Sequence, residues 1–135
     1  MTAPHPKFAS LHETLDHFAR LSPHSEAACD AAESLSYAQL QRAVQHFAQR
    51  LHALGIRQGD RVAFLGTPGL PFWISLLGTM QAGAVWLGLN PQYTERELAH
   101  VLRDAGPRLC LLGPTDTAAA HAPLQAACAA QGLAP

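Results

Sequence analysis

Residues 59–104 read GDRVAFLGTPGLPFWISLLGTMQAGAVWLGLNPQYTERELAHVLRD. Within them two short apolar segments, Val62–Leu65 and Ala84–Leu89, are each followed by a helical pattern with almost no spare linker. This alternation is typical of a parallel α/β sheet. Since Ala84–Leu89 shows no polar alternation, we predict that it is a central strand of that sheet. The predicted fold is α/β: a partial, doubly wound, mostly parallel sheet with flanking helices.

Apolar spacing also predicts the helices that flank the sheet. Residues 40–54 carry apolar side chains at i, i+3, i+4 and i+7, and Gly55 follows them as a C-terminal cap. The segment Pro71–Gln81 is apolar on nearly every side, so we predict that it lies buried between other layers. A third helix begins at Thr94, with Glu97 as the partner in a capping box.

The remaining segments give weaker patterns that complete the same alternation. A first helix has Ser10 as its N-cap and Pro23 beyond its end. The other predicted elements are a β-hairpin formed by Ala27–Asp30 and Leu35–Tyr37, a third strand at Leu109–Leu112, and a helix over Thr115–Gln131 despite Pro123.

Length and composition indicate one globular domain. The 135 residues are 48% hydrophobic and 14% charged, with a formal net charge of −1, which excludes an acidic or basic disordered protein. The arginines are scattered, so a nucleic-acid partner is not expected. We divide the chain into a lead, residues 1–7, and a single domain, residues 8–135. Another strand is expected after residue 135, so this domain is predicted to be incomplete at its C-terminus.

Cysteine usage and hydropathy predict a cytoplasmic protein without an integral membrane segment. Cys29, Cys110 and Cys128 form no CxxC pair, and their odd number favours free, buried thiols. The N-terminus has no secretory pattern. The longest apolar stretch, residues 70–89, is interrupted by Gly78, Gln81 and Gly83.

The turn Gly66–Gly69 is the segment most similar to a phosphate loop. It lies between a strand and a helix, where free N–H groups and the helix dipole favour anions. It lacks both GxxxxGK[ST] and GxGxxG spacing, and Pro68 and Pro71 remove N–H donors. We therefore interpret it as a structural turn rather than a phosphate site.

No metal site or nucleophile is predicted either. His12 and His17 are five residues apart and His46 and His52 six apart, so neither pair has the i, i+4 spacing of helical ligands, and we interpret all four as solvated surface residues. There is no GxSxG around a serine. Other side chains of possible chemical interest are given structural roles: in the core, Ser75, Cys110, Trp73 and Trp86; on a solvated helix, Glu95, Glu97 and Asp104. We predict no catalytic, cofactor-binding or metal-ligating residue in this chain.

Several ordered segments resemble the N-terminal subdomain of the adenylate-forming (AMP-binding) superfamily of acyl- and aryl-CoA ligases. They are LSYAQL at 35–40, LG followed by GDRVA at 54–63, QAGAV and LNP at 81–91, and EL with LRDAG at 97–106. The ending Asn90–Thr94 is similar to that of the acid–CoA ligase branch. The chain departs from the common pattern at Pro68, where many members have Asn, and at Gly88, where many have Pro.

The resemblance implies a parent reaction that needs ATP, Mg²⁺ and CoA. A carboxylic acid attacks the ATP α-phosphate to give an acyl-adenylate, and the CoA sulfur then displaces AMP. The family's phosphate loop, acidic residues and mobile lysine all lie beyond the segment present here, and Lys7, the chain's sole lysine, stands where no family lysine acts. The resemblance thus implies a fragment truncated before the catalytic motifs, which we expect to be inactive alone.

Two alternatives stay open at this point. The chain could be a non-catalytic interaction module that docks with a separately encoded ligase remainder or forms a homodimer through its open sheet edge. It could also be an independent nucleotide-binding α/β domain, in which case ATP or AMP would bind to the isolated chain.

Overall fold

The computed structural model describes residues 6–116 and 118–133. Helices and strands alternate along the chain in the order that the sequence predicts. In chain order they are α1 (Leu11–Leu21), β1 (Glu26–Cys29), β2 (Ser34–Ser36), α2 (Tyr37–Ala53), β3 (Arg61–Leu65), α3 (Leu70–Gln81), β4 (Val85–Leu89), α4 (Glu95–Ala105), β5 (Leu109–Leu112), a 3₁₀ turn (Ala118–His121) and α5 (Ala122–Ala130).

The strands form two separate sheets. β1 and β2 pair as an antiparallel hairpin, whereas β4, β3 and β5 form a parallel sheet in that order, with Val62 opposite both Trp86 and Leu109. The α/β class is thereby confirmed. The prediction that residues 84–89 form a central strand is wrong, because β3 is central and β4 lies at the edge of the described sheet. An apolar pattern reports burial of the two faces of a strand and carries no information about its edges.

Helices cover both faces of the parallel sheet, which confirms the doubly wound arrangement. On one face, Leu51 of α2 and Ala82, at the end of α3, pack against Val62 of β3. On the other face, Leu98 of α4 and Leu124 of α5 pack in one cluster with strand residues. α3 is not enclosed between layers as predicted: its Trp73 is 47% exposed.

Local caps explain where the helices start and stop. α1 begins after Ser10, whose side chain accepts a hydrogen bond from the Glu13 N–H. A capping box between Ser36 and Gln39 starts α2 at Tyr37, so Tyr37 is helical and not the end of the predicted strand. Gly55 follows α2 with φ of +82°, a left-handed conformation that favours glycine.

The C-terminal segment is helical in two pieces. The 3₁₀ turn leads into α5, where Pro123 occupies the first turn and therefore interrupts no helical hydrogen bond. Residues 1–5 of the predicted lead, and residues 117, 134 and 135 of the predicted domain, lie outside the described residues. Within the described ranges, no helix has the length and apolar character needed to cross a bilayer.

Candidate functional site

The carboxyl ends of β3, β4 and β5 lie at the end of the sheet where parallel α/β folds commonly bind ligands. α3 begins after β3 and α4 begins after β4, so the N-termini of both helices lie at this carboxyl end of the sheet. Free N–H groups and the helix dipole make such N-termini favourable positions for phosphate. The groups that fill these two positions therefore decide whether an anion can bind.

The N-terminus of α3 is closed by Asp30, a residue of the loop between β1 and β2. The N-cap residue of α3, Gly69, has no side chain to offer, and Asp30 Oδ2 accepts a hydrogen bond from the Leu70 N–H at 3.0 Å. Asp30 Oδ1 accepts from the N–H groups of Ala32 and Glu33 at 2.9 and 3.1 Å. These backbone hydrogen bonds, that of Leu70 foremost, hold the pKa of Asp30 below its usual value. An incoming phosphate would meet an ionised carboxylate there.

The N-terminus of α4 is closed by its own capping box. Glu97 Oε2 accepts hydrogen bonds of 2.8 Å from both the N–H and the hydroxyl of Thr94, and the Glu97 N–H donates to Thr94 Oγ1 at 3.3 Å. The hydrogen bonds from Thr94, first from its N–H and then from its hydroxyl, lower the pKa of Glu97. A carboxylate of the chain itself thus lies at each of the two helix N-termini at this end of the sheet.

The turn that follows β3 is tied to the end of β5. The N–H of Thr67 donates to Pro114 O at 2.8 Å, and the N–H of Gly113 donates to Leu65 O at 2.7 Å. The ring of Phe64 lies against Gly113 so closely that a Cβ at that position would overlap it. Residues 66–69 therefore connect β3 to α3, and Thr67 ties this turn to the segment after β5.

Aromatic rings fill the space beneath the start of α3. The ring of Trp86 lies against those of Phe64 and Phe72, with centroid separations of 6.2 and 4.8 Å. Trp86 Nε1 donates to Ser75 Oγ at 3.1 Å, and the Ser75 hydroxyl donates to Phe72 O at 2.8 Å. The indole N–H of Trp86 and the hydroxyl of Ser75 therefore both have hydrogen-bond partners. Ser75 is 1% exposed, so its hydroxyl is not presented to solvent as a nucleophile.

The same ring explains one departure from the family pattern. A Cβ added at Gly88 would lie 2.7 Å from ring atoms of Trp86, two residues earlier on the same face of β4. Glycine at position 88 therefore leaves room for tryptophan at position 86.

Two predictions of burial are wrong. The sequence predicts Trp73 in the core, but its side chain is exposed on the outer side of α3, because a helix packed on one face of a sheet keeps an outward face. Cys29, predicted to be a buried thiol, is exposed on β1 because that hairpin stands apart from the parallel sheet. Cys110 and Cys128 are buried as predicted. Burial, together with the hydrogen bond and charge interaction with Cys128, raises the pKa of Cys110 to about 12, so its thiol stays protonated.

The histidines divide between the surface and the edge of the core. His46 and His52 are exposed, as predicted. His12 and His17 are half-buried, and the ring of His17 packs against Phe8 and Phe18, so the interpretation of these two as solvated surface residues is wrong. Across residues 6–116 and 118–133, no three His, Cys, Asp or Glu side chains come together in a way that could hold a metal ion.

An arginine side chain closes a helix at the opposite end of the sheet. Arg61, at the start of β3, donates to Ala105 O at 2.7 Å and to Gly106 O at 2.9 Å, closing the C-terminus of α4. Arg108 lies 3.8 Å from the carboxylate of Asp60. Lys7 is exposed before α1. The hydrogen bonds of these side chains hold helix ends and loops in place.

Comparison with known protein families gives a match to nearly the whole chain. The model for the family described as AMP-binding enzyme matches residues 15–134. Feruloyl-CoA synthase from Amycolatopsis sp is 42% identical over 116 residues, which are 85% of this chain and 22% of that protein. The fatty acid–[acyl-carrier-protein] ligase ScoC from Streptomyces coeruleorubidus is 34% identical over 108 residues, or 80% of this chain and 21% of that protein. The chain thus spans about a fifth of the length of these relatives.

Solved structures show the same likeness in three dimensions. The N-terminal domain of FACL13 from Mycobacterium tuberculosis superposes with a TM-score of 0.81 at 29% identity, covering 95% of this chain and 32% of that one. The fatty acid AMP ligase from Legionella pneumophila superposes with a TM-score of 0.69 at 26% identity, covering 76% of this chain and 19% of that one.

Proposed function

This chain belongs to the AMP-binding enzyme family, and from that premise we propose that it forms the N-terminal scaffold of an ATP-dependent carboxylic acid–CoA ligase. Relatives named as feruloyl-CoA synthase and long-chain-fatty-acid–CoA ligase support an acid as substrate and CoA as acceptor. The likeness to the N-terminal domain of FACL13 supports the position of this chain within such an enzyme.

We further propose that the chain alone catalyses no adenylation. The observation that carries this proposal is that the carboxylates of Asp30 and Glu97 lie at the two helix N-termini at the carboxyl end of the sheet. Phosphoryl chemistry needs hydrogen-bond donors and cations around the phosphates. Carboxylates at these positions repel the phosphates instead. The Asp30 and Glu97 carboxylates therefore disfavour the phosphates of ATP and CoA at this end of the sheet, and we assign the binding of ATP, Mg²⁺ and CoA to the remainder of the ligase.

An assay of the purified chain tests this inactivity. The chain is incubated with ATP, Mg²⁺, CoA and a panel of carboxylic acids that includes ferulate, and pyrophosphate release is followed. We expect pyrophosphate to be released no faster than in a control reaction without the chain. Acid-dependent release that scales with the amount of chain, and disappears when the chain is heat-denatured, would contradict the proposal.

The alternative of an independent nucleotide-binding domain has a separate test. Calorimetric titration of ATP or AMP into the chain should give only the heat of dilution, because a carboxylate at each helix N-terminus repels phosphate. A saturable binding heat would support the alternative instead.

We also propose a cytoplasmic location. Its support is that all three cysteines, Cys29, Cys110 and Cys128, are free thiols in the structure, as is usual in a reducing compartment. Labelling the chain in fractionated cells tests this, and recovery in a secreted or membrane fraction would contradict it.

A further inference from the structure

Two thiols from different elements meet in the core beside the parallel sheet. Cys110 lies on β5 and Cys128 on α5, and both belong to the cluster that α4 and α5 form with the strands. Each side chain is at most 1% exposed, and a hydrogen bond joins the two thiol groups. Sulfur atoms in hydrogen-bond contact are arranged so that a disulfide can form with little movement of the backbone.

While α5 is packed on the sheet, both thiols are protected from oxidants. Burial first, then the hydrogen bond and charge interaction with Cys128, raises the pKa of Cys110 to about 12. Because the thiolate is the species that attacks a disulfide, a protonated and enclosed thiol reacts slowly. Cys29, in contrast, is exposed on β1 and lies outside this cluster. Solvent therefore reaches Cys29 directly, but it reaches the other two thiols only when the packing opens.

α5 is the element whose opening exposes the pair. It has nine residues, and its N-cap residue, His121, makes no side-chain cap hydrogen bond. Isolated helices shorter than about 12–15 residues are marginal in water, so α5 depends on its contacts with the rest of the chain. Leu124 and Cys128 are buried against the cluster. The Gln131 side chain donates to Ala99 O at 3.2 Å. A short terminal helix held by these contacts is expected to open more readily than the central strand.

We propose that Cys110 and Cys128 are an oxidisable pair, which forms a disulfide latch between β5 and α5 when α5 opens in the presence of a low-molecular-weight disulfide. One cysteine loses its proton, and its thiolate attacks a sulfur of the oxidant and expels one thiolate. The second cysteine, also as a thiolate, attacks the resulting mixed disulfide and expels the other. The pair thereby loses two protons and two electrons, and the oxidant becomes two thiols. The inference is independent of the proposed function, since it concerns only β5 and α5.

A closed latch fixes α5 to the sheet. The cross-link joins positions 110 and 128 and removes the conformations in which the helix leaves the strand. Disulfides stabilise proteins mainly by restricting the unfolded chain. We therefore expect slower amide hydrogen exchange in α5 and a Tm higher by about 5–10 °C. A reducing thiol reverses every step, so in a reducing compartment the latch is a transient state.

Oxidation of a Cys29→Ser chain tests the latch, because this variant retains only the proposed pair. The chain is incubated with oxidised glutathione in mildly alkaline buffer and analysed by intact mass and non-reducing peptide mapping. We expect a monomer that has lost two hydrogen atoms, in which the peptides of Cys110 and Cys128 are joined until dithiothreitol is added. The matched control is Cys29→Ser/Cys128→Ser, which keeps Cys110 alone. It should form no internal bond, and its Tm should not rise after the same treatment.

The rate of disulfide formation tests the role of α5. In the Cys29→Ser background, Gln125→Gly weakens α5 at an exposed position and should speed the reaction by about threefold. Gln49→Gly is the matched control, because it makes the same exchange at an exposed position of α2, which does not cover the pair; the rate should stay unchanged.

Three results would overturn the latch. The first is that both cysteines of the treated chain still react as free thiols after unfolding. The second is that a stable mixed disulfide or a cross-linked dimer forms in place of the internal bond. The third is that the two glycine variants speed the reaction equally, since oxidation would then require general unfolding of the chain.

Discussion

Asp30 caps a helix that begins forty residues later in the chain, since its Oδ2 accepts a hydrogen bond of 3.0 Å from the Leu70 N–H. The same carboxylate, through Oδ1, also orders the loop between β1 and β2. One side chain therefore joins the antiparallel hairpin to the first turn of α3. It also fills the position at which a phosphate would otherwise approach the sheet.

Replacing Asp30 should separate these two elements. Asp30→Ala removes the cap of α3 and the acceptor of the hairpin loop, so we expect a lower Tm than for the native chain. Glu33→Ala is the control, because Glu33 lies in the same loop and takes part through its backbone N–H. Thermal unfolding followed by circular dichroism measures both, and equal Tm values for the two variants would contradict the role of Asp30.

Acid should destabilise the chain through the two capping carboxylates. The pKa values of Asp30 and Glu97 are lowered in the folded state from the usual 3.8 and 4.5. Their contribution is complete above those usual values and is lost as the pH falls through the lowered folded values. The midpoint of urea unfolding should therefore decrease below about pH 5. In Asp30→Asn/Glu97→Gln this decrease should be shallower, and an unchanged slope would show that other groups control the acid limb.

Gly78 tests the packing of α3 on α2. A Cβ at Gly78 would lie 2.6 Å from Phe47 Cδ1 and 3.0 Å from Phe47 Cβ. Alanine gains about 1 kcal/mol over glycine in a helix interior, whereas overpacking costs about 1–3 kcal/mol. We expect Gly78→Ala to lower the free energy of unfolding, and to lower it less in a Phe47→Leu background. Urea denaturation measures both free energies. A Gly78→Ala variant that is more stable than the native chain would mean that α2 and α3 move apart at little energetic cost.

Ser75 tests whether the buried hydroxyl is structural. Ser75→Ala leaves Trp86 Nε1 without its acceptor, which should cost about 1–3 kcal/mol of unfolding free energy. Combined with Trp86→Phe, the loss should be smaller than the sum of the two single losses, since both remove the same hydrogen bond. In a chimera in which this chain replaces the matched segment of the Amycolatopsis feruloyl-CoA synthase, Ser75→Ala should leave kcat unchanged. Loss of turnover in a folded chimera would assign Ser75 a chemical role.

Features that lie within one helix or strand could be predicted well from the sequence. The capping box of Thr94 and Glu97 and the apolar stripe of α2 depend on residues three or four apart, so spacing alone reveals them. The packing of the Trp86 ring over Gly88 is also local, at i and i+2 on one strand, and could have been recognised from two residues sharing a strand face.

Relationships between elements were not predictable in the same way. Asp30 looks like an ordinary loop aspartate until the hairpin is placed beside α3. The edge position of β4 follows from the directions of two crossovers, and the exposure of Trp73 follows from which side of α3 meets the sheet. Each of these depends on tertiary placement, which the apolar pattern of a single segment does not encode.

The central claim, that this chain is the scaffold of a carboxylic acid–CoA ligase, is tested most directly by feruloyl-CoA formation in the chimera with the Amycolatopsis enzyme. The chimera should fold and form feruloyl-CoA from ferulate, ATP and CoA, while the chain alone forms none. A chimera that is folded by circular dichroism and exclusion chromatography yet forms no feruloyl-CoA would contradict the account.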